Sequence, residues 1–126
     1  MKQIINTSGA PAPIGPYNQA VRWGDLLFVS GQIALDPQRG DLVLDSIEAE
    51  THQVLRNVKA ILEAAGSSMQ KVLKATVFVK DINQFSRINT VYGEYFPPEV
   101  APARELVQVA ELPRFVNVEI SVIAFV

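Results

Sequence analysis

"DSIEAETHQVLRNVKAILEAAGSSMQKVLKATVFVKD", residues 45–81, changes its hydrophobic period once, and that change decides the fold class. Ile47, Val54, Leu55, Val58, Ile61, Leu62 and Ala65 recur at the 3.6-residue spacing of an amphipathic helix. Asp45 stands as its N-cap, Glu48 follows three residues on in capping-box position, and Gly66 is a natural stop. The spacing thus predicts a helix over about 47–65. Glu48, His52, Arg56, Lys59 and Glu63 fall on the opposite, charged face. "VLKATVFVKD" (72–81) then reads as a β-rich strand that ends at a turn.

Strands precede this unit, and the helix-then-strand order occurs once more after it. Residues 1–30 read as strands, and "VRWGDLLFVSG" carries a Gly-Asp pair between two apolar runs, a two-residue hairpin signal. "QIALDPQRGDLVLD" is a loop with corners at Asp36-Pro37 and Arg39-Gly40. Downstream, "NQFSRINTVYGEYF" (83–96) predicts a second helix with Phe85, Ile88, Tyr92 and Phe96 in its stripe, ended by Pro97-Pro98. Two closing strands follow at about 103–109 and 116–125, separated by "AELPRF". The pattern ββ-α-β-α-ββ predicts one domain over 1–126, an α+β fold with two helices packed on one face of a mixed sheet.

Composition narrows the function classes. A 126-residue chain that is 48% hydrophobic, with mean hydropathy +0.17, holds enough apolar surface for a core and a subunit interface. Eleven basic against 13 acidic residues, net −2 and without like-charge runs, give nucleic-acid binding no electrostatic support. The N-terminus "MKQIINTSGAPAPIG" has no apolar signal-peptide core. "LLFV" and "VIAFV" fall far short of a membrane span of about 20 residues. A soluble, cytoplasmic protein without membrane association is expected. The absence of cysteine excludes disulfides, thiolate nucleophiles and iron–sulfur clusters. The single histidine, His52, lies on the charged helix face and is expected to be solvated, which leaves Ser–His–Asp and His-metal mechanisms without their key group. No metal or cofactor is expected.

Two charges stand where plain core strands would need none. In the last strand Val116, Val118, Ile120 and Val122 point one way, and Asn117, Glu119 and Ser121 the other. In the strand before it, Arg104, Leu106 and Gln108 share a side against Glu105, Val107 and Val109. An arginine fork holds a carboxylate by two parallel hydrogen bonds, and a glutamate orients or activates water. A surface salt bridge accounts equally well for the pair alone. "PIGPY" (13–17) adds a Gly15-Pro16 turn that presents Tyr17, "VSGQI" (29–33) places Gly31 where a backbone can approach a ligand, and Asn89 puts an amide beside the stripe of the second helix.

"APAPIGPY", "FVSGQIALDPQRG", "NVKAILEAAG", "KATVFVKDINQFSRINTVYGEYF" and "PAR…VQVAELP…VEI" together resemble the Rid (reactive intermediate deaminase, RidA/YjgF) family from about residue 9 to the C-terminus. The resemblance implies a chorismate-mutase-like fold and a homotrimer with three inter-subunit clefts. It also implies cofactor-free hydrolysis of 2-imino or enamino acids, such as 2-aminoacrylate, to 2-keto acids and ammonia. Carried over residue by residue, it makes Arg104 the clamp of the substrate carboxylate and Glu119 the residue that holds the attacking water. Tyr17 and Asn89 then line the cleft, and Ser30 and Gly31 form its wall. Many members read "PARSCV" where this chain reads "PARELV", so Leu106 replaces a cleft cysteine and Glu105 a small residue. A non-catalytic module binding a keto acid or amino acid is the main alternative. RNA cleavage or translation inhibition, attributed to some relatives, is a third.

Overall fold

The computed structural model describes residues 1–126. Three strands lead the chain: β1 (Gln3–Ile5), β2 (Ala20–Trp23) and β3 (Leu26–Gln32). Helix α1 (Ile47–Ala64), strand β4 (Val72–Val79), helix α2 (Phe85–Tyr95), and strands β5 (Ala103–Gln108) and β6 (Val118–Phe125) follow. The six strands form one sheet in the order β1-β2-β3-β6-β4-β5. Only β4 and β5 run parallel; every other neighbouring pair is antiparallel. The α+β fold with a mixed sheet is the one expected.

Both helices cover the same sheet face. One continuous cluster joins Val54, Leu55, Val58, Ile61 and Leu62 of α1, Ile88 and Tyr92 of α2, and the inward residues Leu27, Val29, Ala75, Val77, Val79, Val118, Ile120, Val122 and Ala124. The stripe read from the sequence is therefore the buried face of α1, and period-2 alternation gives the buried face of each long strand. The other sheet face is open. It displays Ile4, Trp23, Leu26, Phe28, Val107 and Phe125, all exposed.

The structure corrects several local expectations. Residues 1–30 are not continuous strand: residues 6–19 form a loop tied by Gln19, whose amide donates to the carbonyls of Thr7, Ala10 and Pro11 and accepts from Thr7 N–H. β1, too short at three residues to carry a pattern, is the sixth strand beyond the five read from the sequence. Ser46, not Asp45, caps α1, its hydroxyl accepting from Ala49 N–H at 3.0 Å. Glu48 instead forms a bidentate pair with Arg87 of α2, which holds its carboxyl down at about 2. His52 is not on a freely solvated face. Because α2 packs along that side of α1, His52 Nδ1 lies 3.1 Å from the Tyr95 hydroxyl and Nε2 3.8 Å from Glu94. The Gly24-Asp25 hairpin forms as expected, with Gly24 at a φ of 61° that favours glycine.

Candidate functional site

Arg104 leaves β5 on the helix side of the sheet. Its partner across the parallel ladder is Ala75, a buried residue beneath the helices. The guanidinium carbon lies 4.7 Å from the ring centroid of Tyr92 and 5.8 Å from that of Phe85, and Nη1 donates to Asn89 Oδ1 at 2.6 Å. Residues 85, 89 and 92 share one face of α2 by i, i+4, i+7 spacing, so a single helix supplies both the aromatic platform and the amide. No carboxylate of the chain pairs with Arg104. Its remaining N–H donors have no protein partner, and the Tyr92 and Phe85 rings flank the guanidinium. Leu106, two residues on, faces the same side, half-buried against the core.

Glu119 leaves β6 on the other side. Its neighbours Val118 and Ile120 are fully buried under the helices, so alternation turns Glu119 to the open face, opposite Phe78 of β4. Its carboxylate rests over Gly31. A Cβ at that glycine would lie 2.7 Å from Oε2 and 2.8 Å from Cδ, so any side chain there would push the carboxylate aside. Gly31 lies within a β-bulge, where β3 advances three residues from Val29 to Gln32 while β6 advances two. Glu119 forms no ion pair, and burial alone pushes its pKa above the ordinary 4.5. A half-buried carboxylate without a protein partner is an acceptor available to water or substrate.

Tyr17 lies close to Gly31, over which the Glu119 carboxylate rests. Tyr17 and Gly31, with Pro11, Ile14, Ile33 and Leu35, line a small cavity of about 40 Å³. The turn before Tyr17 is closed by its N–H donating to Gly15 O at 2.8 Å. Ser30 is spent on the scaffold: its hydroxyl donates to Asn18 O at 2.6 Å and its N–H to Gln19 O at 2.9 Å, which pins the Tyr17 loop to β3. Glu105, on the open face, pairs with Lys74 Nζ at 2.8 Å.

The expected residues therefore gather into two groups. Arg104, Asn89 and Leu106 stand on the helix side near edge strand β5; Glu119, Gly31, Ser30 and Tyr17 stand on or beside the open face. Within one chain the sheet separates them. No three His, Asp or Glu side chains converge as a metal ion would require. Sequence reasoning missed two contributors. The stripe spacing puts Tyr92 in the core and carries no sign of its role as the platform for Arg104. Glu50 belongs to neither face as read from the sequence, although an acid at a stripe position, between Ile47 and Val54, is the available signal.

The family described as Endoribonuclease L-PSP matches residues 7–126. The 2-iminobutanoate/2-iminopropanoate deaminase of Salmonella typhimurium is 47% identical over 126 residues, covering 98% of each chain. The chain belongs to the Rid (RidA/YjgF, L-PSP) family. Among solved Rid structures, the YjgF gene product of E. coli is similar with a TM-score of 0.92 at 45% identity, covering 98% of each chain. TdcF of E. coli, crystallised with bound serine, gives 0.93 at 44% identity with the same coverage. Such agreement over the whole chain extends the Rid likeness beyond the motifs to the sheet order and both helices.

Proposed function

We propose that this Rid protein is a cofactor-free deaminase that hydrolyses 2-imino and enamino acids to 2-keto acids and ammonia. One observation carries the reading: an unpaired, stacked guanidinium and an unpaired, half-buried carboxylate, the two complementary groups such a substrate needs, are both left free by the fold. Arg104 binds the substrate carboxylate through its remaining N–H donors, with Asn89 holding the fork. Glu119 accepts a proton from water as the oxygen attacks the imine carbon. The resulting carbinolamine takes a proton on nitrogen, its C–N bond breaks, and ammonia leaves as the carbonyl forms. An enamine first takes a proton at carbon to become the imine. Water, imine and two products balance without a redox partner. Imine hydrolysis has a modest barrier, so positioning and one base suffice.

Because Arg104 and Glu119 lie on opposite faces, the cleft is built between copies: Arg104, Asn89 and Leu106 from one, and Glu119, Gly31, Ser30 and Tyr17 from another. The exposed apolar open face, with Trp23, Phe28 and Phe125, supports association through that face. We assign the chain as a homotrimeric, cytoplasmic enzyme. Light scattering tests the assembly, and a stable monomer of 13.8 kDa at micromolar concentration removes the shared cleft.

The bound serine of the relative TdcF favours a second reading, a module that binds amino or keto acids without turnover. Imines generated in situ by an amino-acid oxidase separate the two. Accelerated release of ammonia and keto acid, lost on Glu119→Gln with keto-acid binding retained, supports the deaminase. Binding without acceleration supports the module.

A further inference from the structure

Glu50 is the one acidic side chain sealed inside the protein. It is 1% exposed, lies under the sheet on α1, and has no cationic partner. Burying a carboxylate is costly unless hydrogen bonds replace its water. Three do, and all come from two consecutive residues. Asn117 N–H donates to Oε2 at 2.8 Å, Val118 N–H to the same oxygen at 3.1 Å, and Asn117 Nδ2 to Oε1 at 2.8 Å. The next residue is Glu119.

That stretch of chain needs an anchor. Immediately before it, Arg114 and Phe115 both take left-handed backbone, at φ 55° and 59°, a conformation that costs non-glycine residues energy and persists only where the surroundings impose it. On the β3 side, pairing of β6 begins only at Ile120, opposite Gln32, the last residue of β3, and the bulge at Ser30–Gly31 lies opposite Ser121. Residues 117–119 are laddered on the β4 side alone, by the Val79–Val118 and Phe78–Glu119 pairs and by Lys80 N–H donating to Asn117 O. Glu50 supplies the missing acceptors from below.

We infer that Glu50 is a positioning residue for Glu119. It acts through the main chain of 117–118, fixing the angle at which β6 delivers the Glu119 carboxylate over Gly31. This rests on the reading of Glu119 as the water-directing base. A leucine at position 50 would suit the apolar stripe better, yet would orphan the Asn117 and Val118 N–H groups, two residues and one residue from that base.

The test is a set of variants measured for kcat, KM, affinity for 2-oxobutanoate and melting temperature. Glu50→Gln keeps an oxygen for both main-chain N–H groups, so it is expected to hold kcat within about threefold; Glu50→Leu is expected to lower kcat by about tenfold or more. In Glu50→Leu the 2-oxobutanoate affinity stays within about twofold, because Arg104 is untouched. On a Glu119→Gln background Glu50→Leu causes no further loss, since the group it positions is already gone. Wild-type kcat in Glu50→Leu, equal loss on both backgrounds, or parallel loss of 2-oxobutanoate affinity would overturn the inference. If Glu50→Leu does not fold, Glu50→Asp takes its place, withdrawing the acceptor from both main-chain N–H groups by one methylene: lower kcat at unchanged affinity supports the inference, and unchanged kcat refutes it. A Glu119→Gln protein with wild-type turnover refutes the role of Glu119 as the base and the inference with it, and a wild-type protein without turnover refutes the deaminase reading. A crippled Glu119→Gln beside a fully active Glu50→Leu refutes the inference alone.

Discussion

Gly31→Ala is the sharpest perturbation of the site, because it adds one methyl and nothing else. The backbone at Gly31 is outside the left-handed region, so alanine meets no φ strain there. The new Cβ would sit 2.7 Å from Glu119 Oε2, 2.8 Å from Cδ and 3.1 Å from Cγ. Restoring an ordinary contact of 3.4 Å requires the carboxylate to retreat by about 0.7 Å. The obstructed group is the end of a flexible, half-exposed side chain, so rotation about its own torsions absorbs the clash at a cost of about 1 kcal/mol or less. Catalysis is less forgiving: a misplacement of about 1 Å costs on the order of a hundredfold. The expected outcome is a kcat lowered by roughly ten- to a hundredfold, equivalent to about 1.4–2.8 kcal/mol in barrier. Melting temperature falls by no more than a few degrees. The assay is ammonia release from oxidase-generated imines, paired with calorimetric 2-oxobutanoate binding on the same sample. A Gly31→Ala protein that turns over at the wild-type rate would mean that the Glu119 carboxylate does not act from where it stands.

Arg104→Ala is expected to lose about a hundredfold in kcat/KM, the worth of a charge-assisted bidentate contact, with Arg104→Lys recovering little because an ammonium cannot reproduce the fork; steady-state kinetics on small imino acids checks both. Burial raises the Glu119 pKa, so the acid limb of kcat/KM falls above the ordinary glutamate value of 4.5, and it disappears in Glu119→Gln. The same shift disfavours the folded, ionised form: its contribution to stability is intact below 4.5 and is lost as pH rises through the folded value, so Glu119→Gln raises the melting temperature at pH 7 more than at pH 4. Tyr92→Phe keeps the platform under Arg104 and removes a buried hydroxyl that has no partner, so activity is retained and thermal stability does not fall; a large rise in KM would show the hydroxyl to matter. Leu106→Cys changes turnover of the smallest imino acids by less than about tenfold, and an increase of several orders of magnitude for every substrate would show that a thiol is chemically active there.

The parts of the fold legible in the sequence are those whose pattern is carried by contiguous residues. The α1 stripe, the Gly24-Asp25 hairpin and the alternation of β6 depend on spacing along the chain, and the structure has them where spacing puts them. The parts that were not legible depend on what comes to lie alongside. His52 reads as solvated until α2 is laid against its flank. Asp45 and Ser46 are both good caps, and only the backbone at position 46, extended at φ −156°, selects the serine. At the candidate site, charges in strand-like runs singled out Arg104 and Glu119, alternation gave each a side of its own strand, and the resemblance added their roles. None of these could say that the two sides are opposite, because that depends on which residues of β4 they face.

That relation has a chemical consequence. Arg104 pairs across β4 with Ala75 and Glu119 with Phe78, three residues along the same strand and so on opposite faces. β4 also stands between β5 and β6, so the two groups lie neither on one face nor on adjoining strands, and neither can satisfy the other. By holding them apart, the sheet leaves a guanidinium without a carboxylate and a carboxylate without a cation. The proposed cleft then brings them within reach only across two copies, with the substrate's carboxylate at one end and its imine carbon at the other. The cost of that arrangement falls on Glu119, whose pKa burial raises and which no protein group compensates. A destabilised base is also a more basic one. On this reading, the feature that makes the carboxylate a poor contributor to folding is what makes it a competent acceptor of a proton from water.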